Sequence, residues 1–256
     1  MNNDPTDLVT GDPQLDADVE HWRTGGGRPR VRLLGPVEVI DARGDLPERY
    51  PRQAVLTELA AYLATHPAGV TGQELADTVF AKIRTESAQR QAIAQLRQWL
   101  GGDEQGARHL PPADAGDRYA LAGVLVDVDL FRRLRLRGLA RGKDGIEDLW
   151  AALRLVTGEP FSQRRPTGYG WLNWEPLEDI YSAMIVDVAH TIAAQHLGAG
   201  EPGPALDVAR AGLLASSQDD RLWLDLIAAH DGLGHLAEAD AAIAQLVARY
   251  DGDDVT

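Results

Sequence analysis

Val70-Thr71-Gly72-Gln73-Glu74-Leu75-Ala76 is the stretch on which the fold of this chain turns. A Thr hydroxyl three residues before a Glu carboxylate forms a capping box. Each side chain satisfies a backbone amide that a helix start leaves free, so a helix begins at Gly72. That helix carries Leu75, Val79 and Phe80 inward. Upstream, Val55, Leu56, Leu59, Tyr62 and Leu63 follow the stripe of an amphipathic helix that His66-Pro67 closes. Downstream, Ala92, Ile93, Leu96, Trp99 and Leu100 share one face of a third helix that stops at Gly101-Gly102. Before the first helix, Val31, Leu33, Val37 and Val39 alternate with polar or small residues around Gly35-Pro36, the pattern of a bent or paired edge strand. After the third, a Gly/Asp-rich stretch holding Arg108, Leu110, Arg118, Tyr119 and Leu121 is expected to make a short hairpin. Strands, three helices and a terminal hairpin make a winged helix-turn-helix domain over 28–123, whose third helix is shaped to lie in a major groove.

From residue 124 to 256 the pattern is helical, and it repeats. At a spacing of 34 residues, His196 meets His230, Gly198 meets Gly232, Gly200 meets Gly234 and Ala205 meets Ala239. That is the tetratricopeptide period, in which small residues let paired helices approach closely. The expected fold class is α+β, mostly α: a winged helix-turn-helix domain followed by an all-α tetratricopeptide-like repeat domain. Residues 1–27 lack a sustained period and end in Gly25-Gly26-Gly27, so they are expected to be an acidic tail or linker dispensable for folding.

The 256 residues are 44% hydrophobic and 25% charged, an ordinary globular composition. No apolar run reaches the length of a membrane span, and the start does not read as a leader, so no membrane contact is expected. The absence of cysteine excludes disulfide frameworks, Cys-ligated zinc and thiol catalysis, and suits a reducing cytoplasm. Net charge is −14, distributed as −5 over 1–27, zero over 28–123 and −9 over 124–256. A nucleic-acid surface therefore belongs in the middle segment or in the basic run 131–143, which alternatively pairs with acids of the helical domain.

Candidate groove contacts are Arg84, Gln89, Arg90, Gln91, Gln95, Arg97 and Gln98, in or just before the third helix; the alternative is an ordinary solvated face. Arg108 and Arg118 on the expected wing are candidates to brace the DNA backbone. Tyr169, Trp171 and Trp174 form an aromatic cluster that is either a partner pocket or core packing. Gly198-Ala199-Gly200-Glu201-Pro202-Gly203 matches a dinucleotide fingerprint literally but joins two helices instead of following a strand. No cofactor, metal site or nucleophile-base constellation is expected, and no enzyme.

The chain over residues 30–250 resembles the Streptomyces antibiotic regulatory protein family, which joins a winged helix to a bacterial transcriptional activator domain. The likeness is carried by 31–39, 70–76 and Gln95-Leu96-Arg97-Gln98-Trp99-Leu100-Gly101. It continues in Val126-Asp127-Val128-Asp129-Leu130-Phe131 and in 152–161, which ends Gly158-Glu159-Pro160-Phe161. The resemblance implies duplex DNA as a partner of the winged helix. For the helical domain it implies a protein partner such as RNA polymerase, or self-association. One departure is that Gln95 and Gln98 stand where the family commonly carries arginine. Glutamine can bond adenine but releases no counterion, so an alternative is an interaction module whose winged helix has lost DNA binding.

Overall fold

The capping box at Thr71 is formed: the Glu74 amide donates to Thr71 Oγ1 at 3.2 Å, and the Thr71 amide donates to Glu74 Oε2 at 2.6 Å. The structure, a computed structural model, describes residues 12–45, 50–83 and 85–253. The chain divides into two compact units. One comprises residues 12–130 and 160–178, the other 131–159 and 179–253. A single boundary near 123 was expected; instead the chain leaves the first unit after Leu130, returns at Pro160 and leaves again after Glu178.

The first unit runs α1 (Leu15–Thr24), β1 (Arg30–Arg32), β2 (Glu38–Ile40), α2 (Tyr50–Thr65), β3 (Val70–Thr71), α3 (Gly72–Asp77), α4 (Glu86–Leu100), β4 (Arg118–Tyr119), β5 (Leu125–Val126) and the start of α5 (Asp127–Arg141). One sheet has the order β2-β1-β5. In it β2 is antiparallel to β1, with Val31 opposite Val39, and β5 is parallel, with Val31 opposite Val126. Helices α2, α3 and α4 bury Leu56, Leu59, Leu63, Leu75, Leu96 and Leu100, and Leu33, Leu34 and Phe80, which lies past the end of α3, are buried as well.

Asp127 ties the sheet to α5. Its buried carboxylate accepts from the amides of Leu33 (2.8 Å), Leu34 (2.9 Å) and Val128 (2.8 Å). Burial pushes its pKa up to about 7, against the pull of those donors.

Three expectations are corrected here. Residues 15–24 are helix α1 with Leu15 buried, not a linker; residues 1–11 of the expected tail lie outside the described residues. Polar anchors that no apolar period reveals hold α1: Asp18 pairs with Arg28 at 2.6 Å, and the Arg30 guanidinium lies 5.6 Å from the Trp22 ring centre. Next, β4 does not close a hairpin with the Arg108 region. It pairs with β3, Val70 opposite Tyr119 and Thr71 opposite Arg118, while Arg108 bridges Gly102. The third concerns Pro160–Glu178, which belongs to the winged-helix unit. The Phe161 amide donates to the Leu33 carbonyl (2.9 Å), the Ser162 amide to Gly35 (3.1 Å) and the Val37 amide to Ser162 (3.1 Å).

The second unit holds the remainder of α5, α6 (Ile146–Leu153), most of α7 (Leu177–Gly198), α8 (Pro202–Ala215), α9 (Asp220–Gly232) and α10 (Leu236–Asp253). Its turns repeat at 34 residues. Gly200 and Gly234 take φ of 75° and 72°, and the next amides, Glu201 and His235, each donate at 2.9 Å to the carbonyls of His196 and His230. A left-handed residue there ends each helix, which is why glycine recurs. The tight crossing lies elsewhere. A Cβ on Gly200 would meet nothing within 4 Å, whereas one on Gly212 would lie 2.7 Å from Ala189 Cβ and Leu222 Cδ1. Three bases of the 131–143 run are taken up within the unit: Arg137 and Arg141 by Asp148, and Arg135 by Asp187. No helix among the described residues is long and apolar enough to cross a membrane.

Candidate nucleic-acid interface

Helix α4 starts at Thr85, whose hydroxyl caps the Ala88 amide, and buries Ala92, Ile93, Leu96, Trp99 and Leu100. That leaves Gln91, Gln95 and Gln98 on the opposite face at intervals of four and three, with Gln91 and Gln98 exposed and Gln95 half-buried. None of the three has a hydrogen-bond partner among the described residues. Their amides present donors and acceptors along one side of the helix.

The cations are disposed differently. Arg97 donates from Nε to the Leu110 carbonyl at 2.8 Å and from Nη2 to Pro111 at 3.2 Å, clasping the loop that follows α4. Arg118 donates to the Gly69 carbonyl at 2.9 Å, and Gln89 to that of Ile83 at 2.9 Å. Arg90 is exposed and pairs with Glu86 one turn earlier, a contact that raises its pKa further. Arg84 lies outside the described residues. Arg108 is exposed and, like Arg52, has no side-chain partner among the described residues. A cavity of about 400 Å³ between α3, the first half of α4 and β4 is lined by Glu86 and Asp117 as well as Arg90. Among the described residues, then, α4 brings the three glutamines and Arg90 together, and Gln89, Arg97 and Arg118 are drawn into backbone contacts.

The aromatic cluster splits. Tyr169 and Trp171 are buried, with Trp171 edge-on to Tyr62 (5.1 Å) and Phe161 (5.8 Å), whereas Trp174 is 88% exposed. Their segment is fastened by Glu58, a buried carboxylate that accepts from the Tyr169 amide and pairs with Arg165. Lys82 adds a bond to the Thr167 carbonyl at 3.0 Å. Sequence reading missed this strap, although an acid between Leu56 and Leu59 on an apolar stripe demands a buried partner. No group of three or more metal-ligating side chains occurs among the described residues.

No protein-family model and no curated protein sequence matches the chain. Among solved structures it is similar to Mycobacterium tuberculosis EmbR in complex with a low-affinity phosphopeptide, with a TM-score of 0.63 and 18% identity. The two share a fold. The alignment covers 90% of this chain and 61% of the EmbR chain. The likeness to EmbR thus embraces both units, and this chain matches less than two thirds of the EmbR chain.

Proposed function

We propose that this chain is a transcription-regulating module acting in the cytoplasm, in which α4 contacts duplex DNA and the helical unit contacts protein. The observation that carries the reading is the free amide face of Gln91, Gln95 and Gln98 on the third helix of a winged helix. Glutamine reads adenine by paired hydrogen bonds in the major groove. Arg90 and Arg108 complete the contact surface on this reading, with Arg84 beside it in sequence. Gln89, Arg97 and Arg118 act by holding the helix and the wing in place. The EmbR fold supports a regulator, and the phosphopeptide of the EmbR complex supports protein contact as a companion activity. Protein candidates are RNA polymerase and a second copy of the chain, and the exposed Trp174 offers an anchor for one of them.

A second reading, an interaction module without DNA binding, draws on the cations: most of those described in the winged-helix unit are spent on carboxylates or carbonyls. Binding to random and A/T-rich duplexes at low and moderate salt separates the two. Measurable binding that weakens when Gln91 and Gln98 are replaced by alanine supports the DNA reading. No binding at low salt, by wild type or by Gln95→Arg/Gln98→Arg, leaves the interaction module.

A further inference from the structure

The winged-helix unit encloses a cavity of about 540 Å³, a size typical of small-molecule sites. Its walls all belong to that unit: β2 with the preceding Val37, the first turns of α2, the last turn of α4 and the strap Pro160–Glu178. Two large aromatic residues on these walls are nearly covered, Trp99 at 6% and Tyr169 at 5% exposure. Neither the Trp99 indole N–H nor the Tyr169 hydroxyl has a hydrogen-bond partner among the described residues, and neither is sealed from solvent. The Trp171 indole nitrogen, by contrast, is sealed as well as unpaired. Polar groups this deep in a protein are normally bonded, and here two of them open onto one cavity.

The strap holds Tyr169 in an unusual backbone. Tyr169 and Gln163, both on the cavity wall, take φ of 59° and 57°, a left-handed conformation uncommon outside glycine and gathered at ligand clamps. Glu58 secures the turn by accepting from the Tyr169 amide and pairing with Arg165. Burial, with the Glu58 carboxylate nearby, pushes the Tyr169 phenol well above its usual range, so it stays a neutral hydroxyl.

The rest of the wall sets the chemistry. Its charged residues, Glu38 and Arg165, are already paired with Arg32 and Glu58. Thr57 and Gln163 add a hydroxyl and an amide without side-chain partners among the described residues, and Ile40 and Ala54 add apolar surface. An ion entering would give up water and meet no unpaired charge. We propose that this cavity binds an uncharged aromatic small molecule of about two or three fused rings. The molecule carries carbonyl or ether oxygens, to which the Trp99 indole N–H and the Tyr169 hydroxyl donate, and its rings cover the apolar wall. The assignment does not depend on the DNA reading.

The probe is 7-methoxycoumarin, which is neutral, bicyclic and supplied with acceptors, and coumarin-3-carboxylate is its charged counterpart. Titrated to millimolar concentration into the isotope-labelled full chain, the probe should shift the Trp99 indole N–H resonance, identified by its absence in Trp99→Phe. Tyr169→Phe should weaken binding about two- to tenfold, as expected for one hydrogen bond. The same variant should leave the melting temperature of the free chain unchanged, because the hydroxyl has no internal partner to lose. Ala54→Leu, which fills the cavity from α2, should abolish the shift, and the carboxylate should bind at least about tenfold more weakly than the probe. No shift at millimolar probe, a shift that survives in Ala54→Leu, or equal binding by Tyr169→Phe or of the carboxylate overturns the proposal. So does a lowered melting temperature in Tyr169→Phe, which would show the hydroxyl paired inside the protein. An extended peptide, Ac-Val-Thr-Val-Thr-amide, that shifts the Glu38–Ile40 amides where the coumarin does not would assign the cavity to strand addition along β2 instead.

Discussion

Arg97 occupies a position where a groove-reading helix would present a cation, yet its guanidinium closes two backbone carbonyls, Leu110 and Pro111. Its spacing on α4 was legible; its direction was not, because a long flexible side chain is aimed by acceptors that the fold brings near. Arg97→Ala should therefore destabilise the winged-helix unit by about 1–3 kcal/mol, since charge-assisted bonds to half-buried carbonyls are lost. Thermal melting checks this, and an unchanged melting temperature would return Arg97 to the DNA-facing set. Asp127 gives a second test. Its folded pKa of about 7 lies above the usual 3.8, so the folded state holds the proton more tightly. The stability this carboxyl contributes is fully present below about pH 4 and is lost as pH rises through 7. Asp127→Asn keeps one acceptor for three amide donors and should cost about 1–3 kcal/mol. The gap between wild type and Asp127→Asn should narrow from pH 5 to pH 8, and a gap that widens would refute the raised pKa.

At the level of elements, the apolar stripes of α2 and α4 and the cap of α3 lie where the residue pattern places them, because side-chain period and capping are local. The elements misread from sequence are held by distant partners. Helix α1 is fastened by Asp18 to Arg28 and by Trp22 to Arg30, and β4 finds its partner 47 residues upstream in the Thr71–Arg118 register, or 49 in Val70–Tyr119. The helical repeat teaches the same distinction. The period identified the recurring glycines, but not which one stands at a helix contact. Gly212→Val should overpack α8 against Ala189 and Leu222 and cost about 1–3 kcal/mol or more. Gly200→Asn, which tolerates a left-handed backbone and meets open space, should cost much less. Paired denaturation curves decide, and equal losses would remove Gly212 from the crossing.

For the whole molecule, charge bounds the DNA binding proposed above. The net charge is −14, and most described cations of the winged-helix unit are already bonded. With about three cations left to neutralise phosphates, the log–log slope of affinity against salt should be no steeper than about −3. Gln95→Arg/Gln98→Arg should steepen it and raise affinity at low salt. A wild-type slope steeper than that would mean that bonded arginines are released on binding. The sequence by itself determined the composition class, the succession of α2, α3 and α4, the helical character of the second half, the capping box and the 34-residue register, all of which rest on local spacing. Only the tertiary structure decided that Pro160–Glu178 returns to the winged-helix unit, that Tyr169 and Trp171 are core while Trp174 is open, and that Arg97 and Arg118 are spent on carbonyls. Those outcomes depend on which groups meet across tens of residues, and a side chain's chemistry does not reveal its partner until the backbone has folded.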